Sequence, residues 1–128
     1  MAAVCRKGEL AKNISALSAL APQLFAFAPV SFCLPDDFNL LKERLRTMRD
    51  SSIRDNTFFI VKPVKGSQGK GISLCHPQLG AITRAAQEAA DDVGARGARE
   101  VVVSEYIPNP LLLHGRKFDL RLVSTGGL

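Results

Sequence analysis

One short stretch constrains this chain more than any other. Phe58, Phe59, Ile60 and Val61 are aromatic or β-branched, Lys62 follows them, and Pro63 closes the run. Such a run reads as a buried strand. Residues 65–71 (KGSQGKG) hold three glycines and two lysines and can only be a loop, while residues 71–75 suit a second short strand. The loop is therefore the tip of a hairpin, and the fold must be built around a sheet.

Helical patterns flank the hairpin on both sides. Residues 7–20 place Leu10, Ile14, Leu17 and Leu20 at spacings of three and four, and residues 22–35 read as extended chain because their prolines block helix. Asp36 and Asp37 suit an N-cap and first turn, and Phe38, Leu41, Leu45 and Met48 then form one apolar stripe with cations on the other faces. After a polar turn at residues 50–57 and the hairpin, Leu79, Ile82, Ala86, Ala89 and Val93 form another stripe that Gly94 ends. Residues 101–104 read as a strand, Asn109 and Pro110 break the chain, and residues 117–123 again have strand character. Helices and strands interleave, so the class is α/β or α+β.

At 128 residues, with 46% hydrophobic and 23% charged residues, the composition is that of one globular domain. Cys5, Cys33 and Cys75 include no CxxC pair, which excludes a disulfide framework and a zinc knuckle and reads as reduced thiols of a cytosolic protein. Residues 14–34 carry no charge, but Pro22 and Pro29 interrupt them, so no membrane span is expected. Arg6, Lys7 and Lys12 before an apolar run suggest a signal peptide, yet Glu9 and the lack of a small-x-small cleavage site argue against one. A net charge of +5 favours an acidic partner. With one Tyr, no Trp and its Phe residues in core patterns, the chain lacks the stacking groups of a nucleic-acid binder.

Three constellations carry chemistry. Lys62 shares a strand face with Ile60, and a lysine there either meets an anion or snorkels to water. Gly66, Gly69 and Gly71 with Lys65 and Lys70 make a basic loop, which either covers a phosphate through its N–H groups or is a flexible turn. It is no Walker A loop, because Gly71 follows Lys70 where Ser or Thr is required. On a strand, Lys117, Asp119 and Arg121 fall on one face opposite Phe118, Leu120 and Leu122, which marks a site-lining sheet or a solvated, salt-bridged face. His76 and His114 have no partner at metal-ligand spacing, Ser67, Ser73 and Ser104 lack a nucleophile-elbow context, and no metal-binding residue is assigned.

Taken in order, FIVKP at 59–63, SQGKGI at 67–72, VVSEYI at 102–107 with NPLLL at 109–113, and GRKFDLR at 115–121 resemble the tubulin–tyrosine ligase-like family. Upstream, Arg6, Lys7, Leu10, Lys12 and Asn13, then FAP at 27–29 and SFCLP at 31–35, are similar to its opening segments. The SQGKGI and GRKFDLR motifs resemble its polyglutamylase branch. The resemblance implies an ATP-grasp-like α+β fold over residues 1–128, with an N-terminal part at about 1–55 and a central nucleotide-binding part at 56–128. It implies an ATP-dependent ligase that joins glutamate to the acidic tails of tubulin through an acylphosphate, in the cytoplasm on the cytoskeleton, cilia and flagella included. No nucleic-acid or membrane partner is implied.

Residue by residue, the resemblance places Lys62 on the α- and β-phosphates. Gln68, Gly69 and Lys70 form the phosphate-covering loop, and Ser104, Glu105, Tyr106 and Ile107 the hinge that receives adenine. Lys117 and Asp119 hold nucleotide and ribose, and Arg121, catalytic with Lys70, faces the γ-phosphate, the acylphosphate or the incoming amino acid. Two departures stand out. Ser104 replaces the family's usual glutamine, which removes an adenine contact. The family's Mg²⁺ ligands lie downstream of GRKFDLR, so the ATP-grasp fold is expected to be incomplete here and the chain inactive by itself. A truncated, non-catalytic nucleotide- or microtubule-binding module is the alternative expectation.

Overall fold

The structure is a computed structural model that describes residues 6–49, 56–65, 69–92 and 100–120. Its elements run α1 (Lys7–Leu20), β1 (Ser31–Leu34), α2 (Phe38–Arg49), β2 (Phe59–Pro63), β3 (Ser73–Cys75), α3 (Leu79–Asp92) and β4 (Val101–Glu105). The strands form one sheet in the order β1-β4-β2-β3, and every neighbouring pair is antiparallel. β2 and β3 are the expected hairpin, with Ile60 opposite Leu74. β4 inserts between β1 and β2, although residues 64–100 separate it from β2 in sequence.

Period-two alternation gives the sheet two unlike faces. Phe59, Val61, Val101 and Val103, with Phe32 and Leu34 of β1, are buried on the first. There they pack under Leu41, Leu45 and Met48 of α2 and Ile82, Ala85 and Ala89 of α3. Burying each large aliphatic or aromatic side chain contributes about 1.5–3 kcal/mol, so this face holds the domain together. The expected stripe on α2 is confirmed, except that Phe38 stays at the rim with the Lys42 ammonium 5.7 Å from its ring centre. On α3 the stripe is also present, with Ala85 added and with Val93 and Gly94 outside the described residues.

The second face carries Ser31, Cys33, Ile60, Lys62, Val102 and Ser104, and α1 lies over part of it. Gly8 allows that approach: a Cβ there would stand 3.3 Å from a Val64 methyl. The Lys7 Nζ donates to the Pro63 carbonyl oxygen at 3.2 Å and ties the helix start to the end of β2.

Several local expectations are corrected. Residues 22–35 are not simply extended: turns occupy residues 22–28, and Ser31–Leu34 pairs with β4 as an edge strand. Asp37 caps α2 through its backbone carbonyl, which accepts from the Leu41 N–H. Its carboxylate instead accepts from the Cys33 N–H at 2.7 Å, satisfying an outward-facing donor of the edge strand, while Asp36 pairs with Lys12. Residues 117–120 form no strand, because no partner strand is present for them among the described residues. A tight hairpin stands just before them: Leu113 and Arg116 exchange backbone hydrogen bonds across His114 and Gly115, both at positive φ.

Candidate functional site

The half-covered second face of the sheet is the floor of a cleft of about 670 Å³. Its register stacks side chains in two rows. Ile60, Ser104 and Ser31 face one another across β2, β4 and β1, and Lys62, Val102 and Cys33 form the next row. α1 supplies one wall through Leu10, Ile14 and Ser18, the turns at residues 22–30 supply another through Phe25, and Ile72 closes the β3 side. The first half of the expected α1 stripe faces the cleft, through Leu10 and Ile14, while Leu17 is exposed and Leu20 is 84% so.

Lys62 is the chemically distinctive group on this floor. It is half-buried in a mostly apolar cleft, and among the described residues its ammonium has neither an ion pair nor a hydrogen bond. A cation held there by its strand attracts an anion strongly, because the surrounding apolar walls screen it less than water does. Ser104, the other expected site residue in the cleft, is 8% exposed and its Oγ lies 2.7 Å from the Ser31 Oγ. Ser31 is a site residue that sequence reasoning missed. Its pairing partner is 73 positions away, and only the sheet register brings the two together.

The other expected residues are distributed differently. Glu105 alternates to the first face, where its carboxylate accepts from the Arg44 Nε at 2.6 Å. This ion pair raises the pKa of the Arg44 guanidinium, chiefly through the hydrogen bond. Tyr106 and Lys117 form a unit of their own, with the Lys117 Nζ donating to the phenol oxygen at 2.9 Å and lying 5.5 Å from the ring centre. Two of the backbone donors of the 104–107 segment are already used: the Glu105 N–H bonds to Val30 and the Tyr106 N–H to Phe58. The Ile107 N–H has no partner among the described residues. Gly69 and Gly71 both adopt positive φ in the turn before β3, and Lys70 between them is exposed. Asp119 is exposed beyond the Leu113–Arg116 hairpin, and Gln68 and Arg121 lie outside the described residues.

Among the described residues no group of three or more His, Cys, Asp or Glu could hold a metal ion. No helix there is long and apolar enough to cross a membrane. The thiols of Cys33 and Cys75 are unbridged, and burial pushes both above the ordinary range.

Fold and cleft together define an α+β domain with a helix-covered core on one sheet face and a cationic pocket on the other. The chain belongs to the tubulin-tyrosine ligase family, whose profile matches residues 1–124. It is 35% identical over 122 residues to the tubulin polyglutamylase TTLL6 of Mus musculus, which covers 95% of this chain and 12% of that protein. It is 35% identical to the Mus musculus tubulin polyglutamylase TTLL11 over 95% of this chain and 16% of that protein. The probable tubulin polyglutamylase ttll-9 of Caenorhabditis elegans is 32% identical over 91% of this chain and 25% of its own length. The chain therefore spans a quarter or less of each of these relatives.

Proposed function

We propose that this chain forms part of the nucleotide site of an ATP-dependent ligase that adds glutamate to the acidic tails of tubulin. The observation that carries the reading is the Lys62 ammonium on the floor of the cleft, unpaired among the described residues. An anionic ligand is what its position calls for, and a polyphosphate supplies the charge in a compact form. In this reading Lys62 meets the α- and β-phosphates, and the turn bearing Gly69 and Lys70, with Gln68, covers them. The Ile107 N–H gives adenine a backbone donor at the end of β4, beside Ser104 and Tyr106. Lys117 and Asp119 hold the sugar side, and Arg121 acts with Lys70 where phosphoryl is transferred.

Phosphorylation of an acceptor carboxylate would give an acylphosphate, which the amine of glutamate attacks with loss of phosphate. The charge that develops on the transferring group has to be met by cations fixed beforehand, a requirement that Lys62 meets through its strand. Mg²⁺ belongs to such chemistry, and the described residues offer no cluster to hold it. The family and its polyglutamylase relatives support tubulin as acceptor and the cytoskeleton as the place of action. An ATP-grasp-like fold is consistent with the antiparallel sheet and its open cleft face.

The test is Lys62→Ala in the intact protein. Loss of a charge-assisted contact worth about 1.5–3 kcal/mol should weaken ATP binding by about ten- to a hundredfold. Titration calorimetry reads the binding, and incorporation of labelled glutamate into tubulin reads the activity. Undiminished glutamylation and unchanged ATP affinity in the variant would refute the assignment of Lys62.

A further inference from the structure

The serine pair on the cleft floor has a direction. The Ser31 Oγ lies 3.1 Å from the Pro29 carbonyl oxygen and 2.7 Å from the Ser104 Oγ. A carbonyl has no proton to give, so Ser31 must donate its single hydroxyl proton to Pro29. Either hydroxyl could donate in the contact between the serines, and with the Ser31 proton given to Pro29 it is Ser104 that donates to the Ser31 Oγ. Ser104 is left with lone pairs alone to offer the cleft, at a position only 8% exposed.

We infer that Ser31 is a specificity-positioning residue that fixes Ser104 as a hydrogen-bond acceptor, so that the ligand edge meeting Ser104 must carry an N–H donor. The inference rests on the nucleotide reading above and makes it more specific. A 6-aminopurine presents an N–H at its six position, whereas a 6-oxopurine presents an oxygen. Where the bound ligand itself covers Ser104, two acceptors facing each other are both left unsatisfied, which disfavours the 6-oxopurine by about tenfold or more.

The experiment measures the binding of ATP and inosine triphosphate to the intact protein, its Ser31→Ala variant and its Ser31→Thr variant. The unsubstituted protein should prefer ATP by at least about tenfold. In Ser31→Ala the Ser104 hydroxyl is free to turn and donate into the cleft. Inosine triphosphate should then bind more tightly than to the unsubstituted protein, and the preference should fall below about threefold. Such a gain cannot come from misfolding. Ser31→Thr keeps the hydroxyl chain and should keep the original preference. If ATP binds but the ratio is the same in Ser31→Ala, the role of Ser31 is overturned while the nucleotide site stands. If neither nucleotide binds the unsubstituted protein, the nucleotide reading itself fails.

Discussion

Cys33 is buried beneath α1 with its Sγ 3.5 Å from the Gly8 carbonyl oxygen, and desolvation raises its pKa above the ordinary 9.0. Cys75, packed at the edge of the core, shifts in the same direction for the same reason. The folded protein holds these protons more tightly than the unfolded chain does. Their contribution to stability is therefore complete below the ordinary thiol value and is lost as pH rises through the raised one. The urea midpoint should fall as pH rises past the ordinary thiol value of 9.0, and a Cys33→Ala/Cys75→Ala variant should fall less over the same interval. Equal slopes would show that the thiols are not the groups responsible. Lys62 teaches a complementary lesson at this scale. A lysine in an apolar strand is visible in the sequence, but whether a carboxylate meets it depends on every element that packs nearby.

The elements were readable where a local pattern and a tertiary role coincide. α2 shows its stripe in sequence because Leu41, Leu45 and Met48 all face the core. The stripe on α1 is present too, but it serves a cleft wall, a distinction that periodicity does not make. Ser31–Leu34 was obscured because its strand character comes from pairing with β4, about seventy residues later, and not from its own alternation. The turn before β3 yields a prediction at this scale. Gly71 sits at φ 68°, and a Cβ there would come within 3.2 Å of Pro63 Cγ, whereas Gly69 at φ 75° faces open space. Both alanine substitutions incur the left-handed backbone cost of about 1–2 kcal/mol, and only Gly71→Ala adds crowding against the ring. Chemical denaturation should rank Gly71→Ala as the more destabilising. The reverse order would mean that the proline moves aside freely.

For the molecule as a whole, a net charge of +5 and acidic tubulin tails as proposed acceptor make long-range electrostatics part of recognition. Binding of the intact protein to microtubules should weaken as salt rises from about 0.05 to 0.3 M, since screening shortens the reach of surface charges over that range. Co-sedimentation provides the measurement, and binding insensitive to salt would place recognition in apolar contacts instead. Binding without any glutamate transfer would favour the non-catalytic module over the ligase.

By itself the sequence determined the family, the hairpin, the α2 and α3 stripes and the lysine on which the proposed site rests. Each is written in residues close together along the chain, where spacing and side-chain type act directly on the backbone. Tertiary structure alone decided that β4 lies between β1 and β2, that one sheet face stays half open, and that Ser31 and Ser104 share a hydrogen bond. It also decided that residues 117–120 have no strand partner among the described residues. Those outcomes depend on pairing between distant segments. Sheet register links such segments through backbone hydrogen bonds that every residue but proline can donate, so a single sequence carries little mark of which distant partners meet.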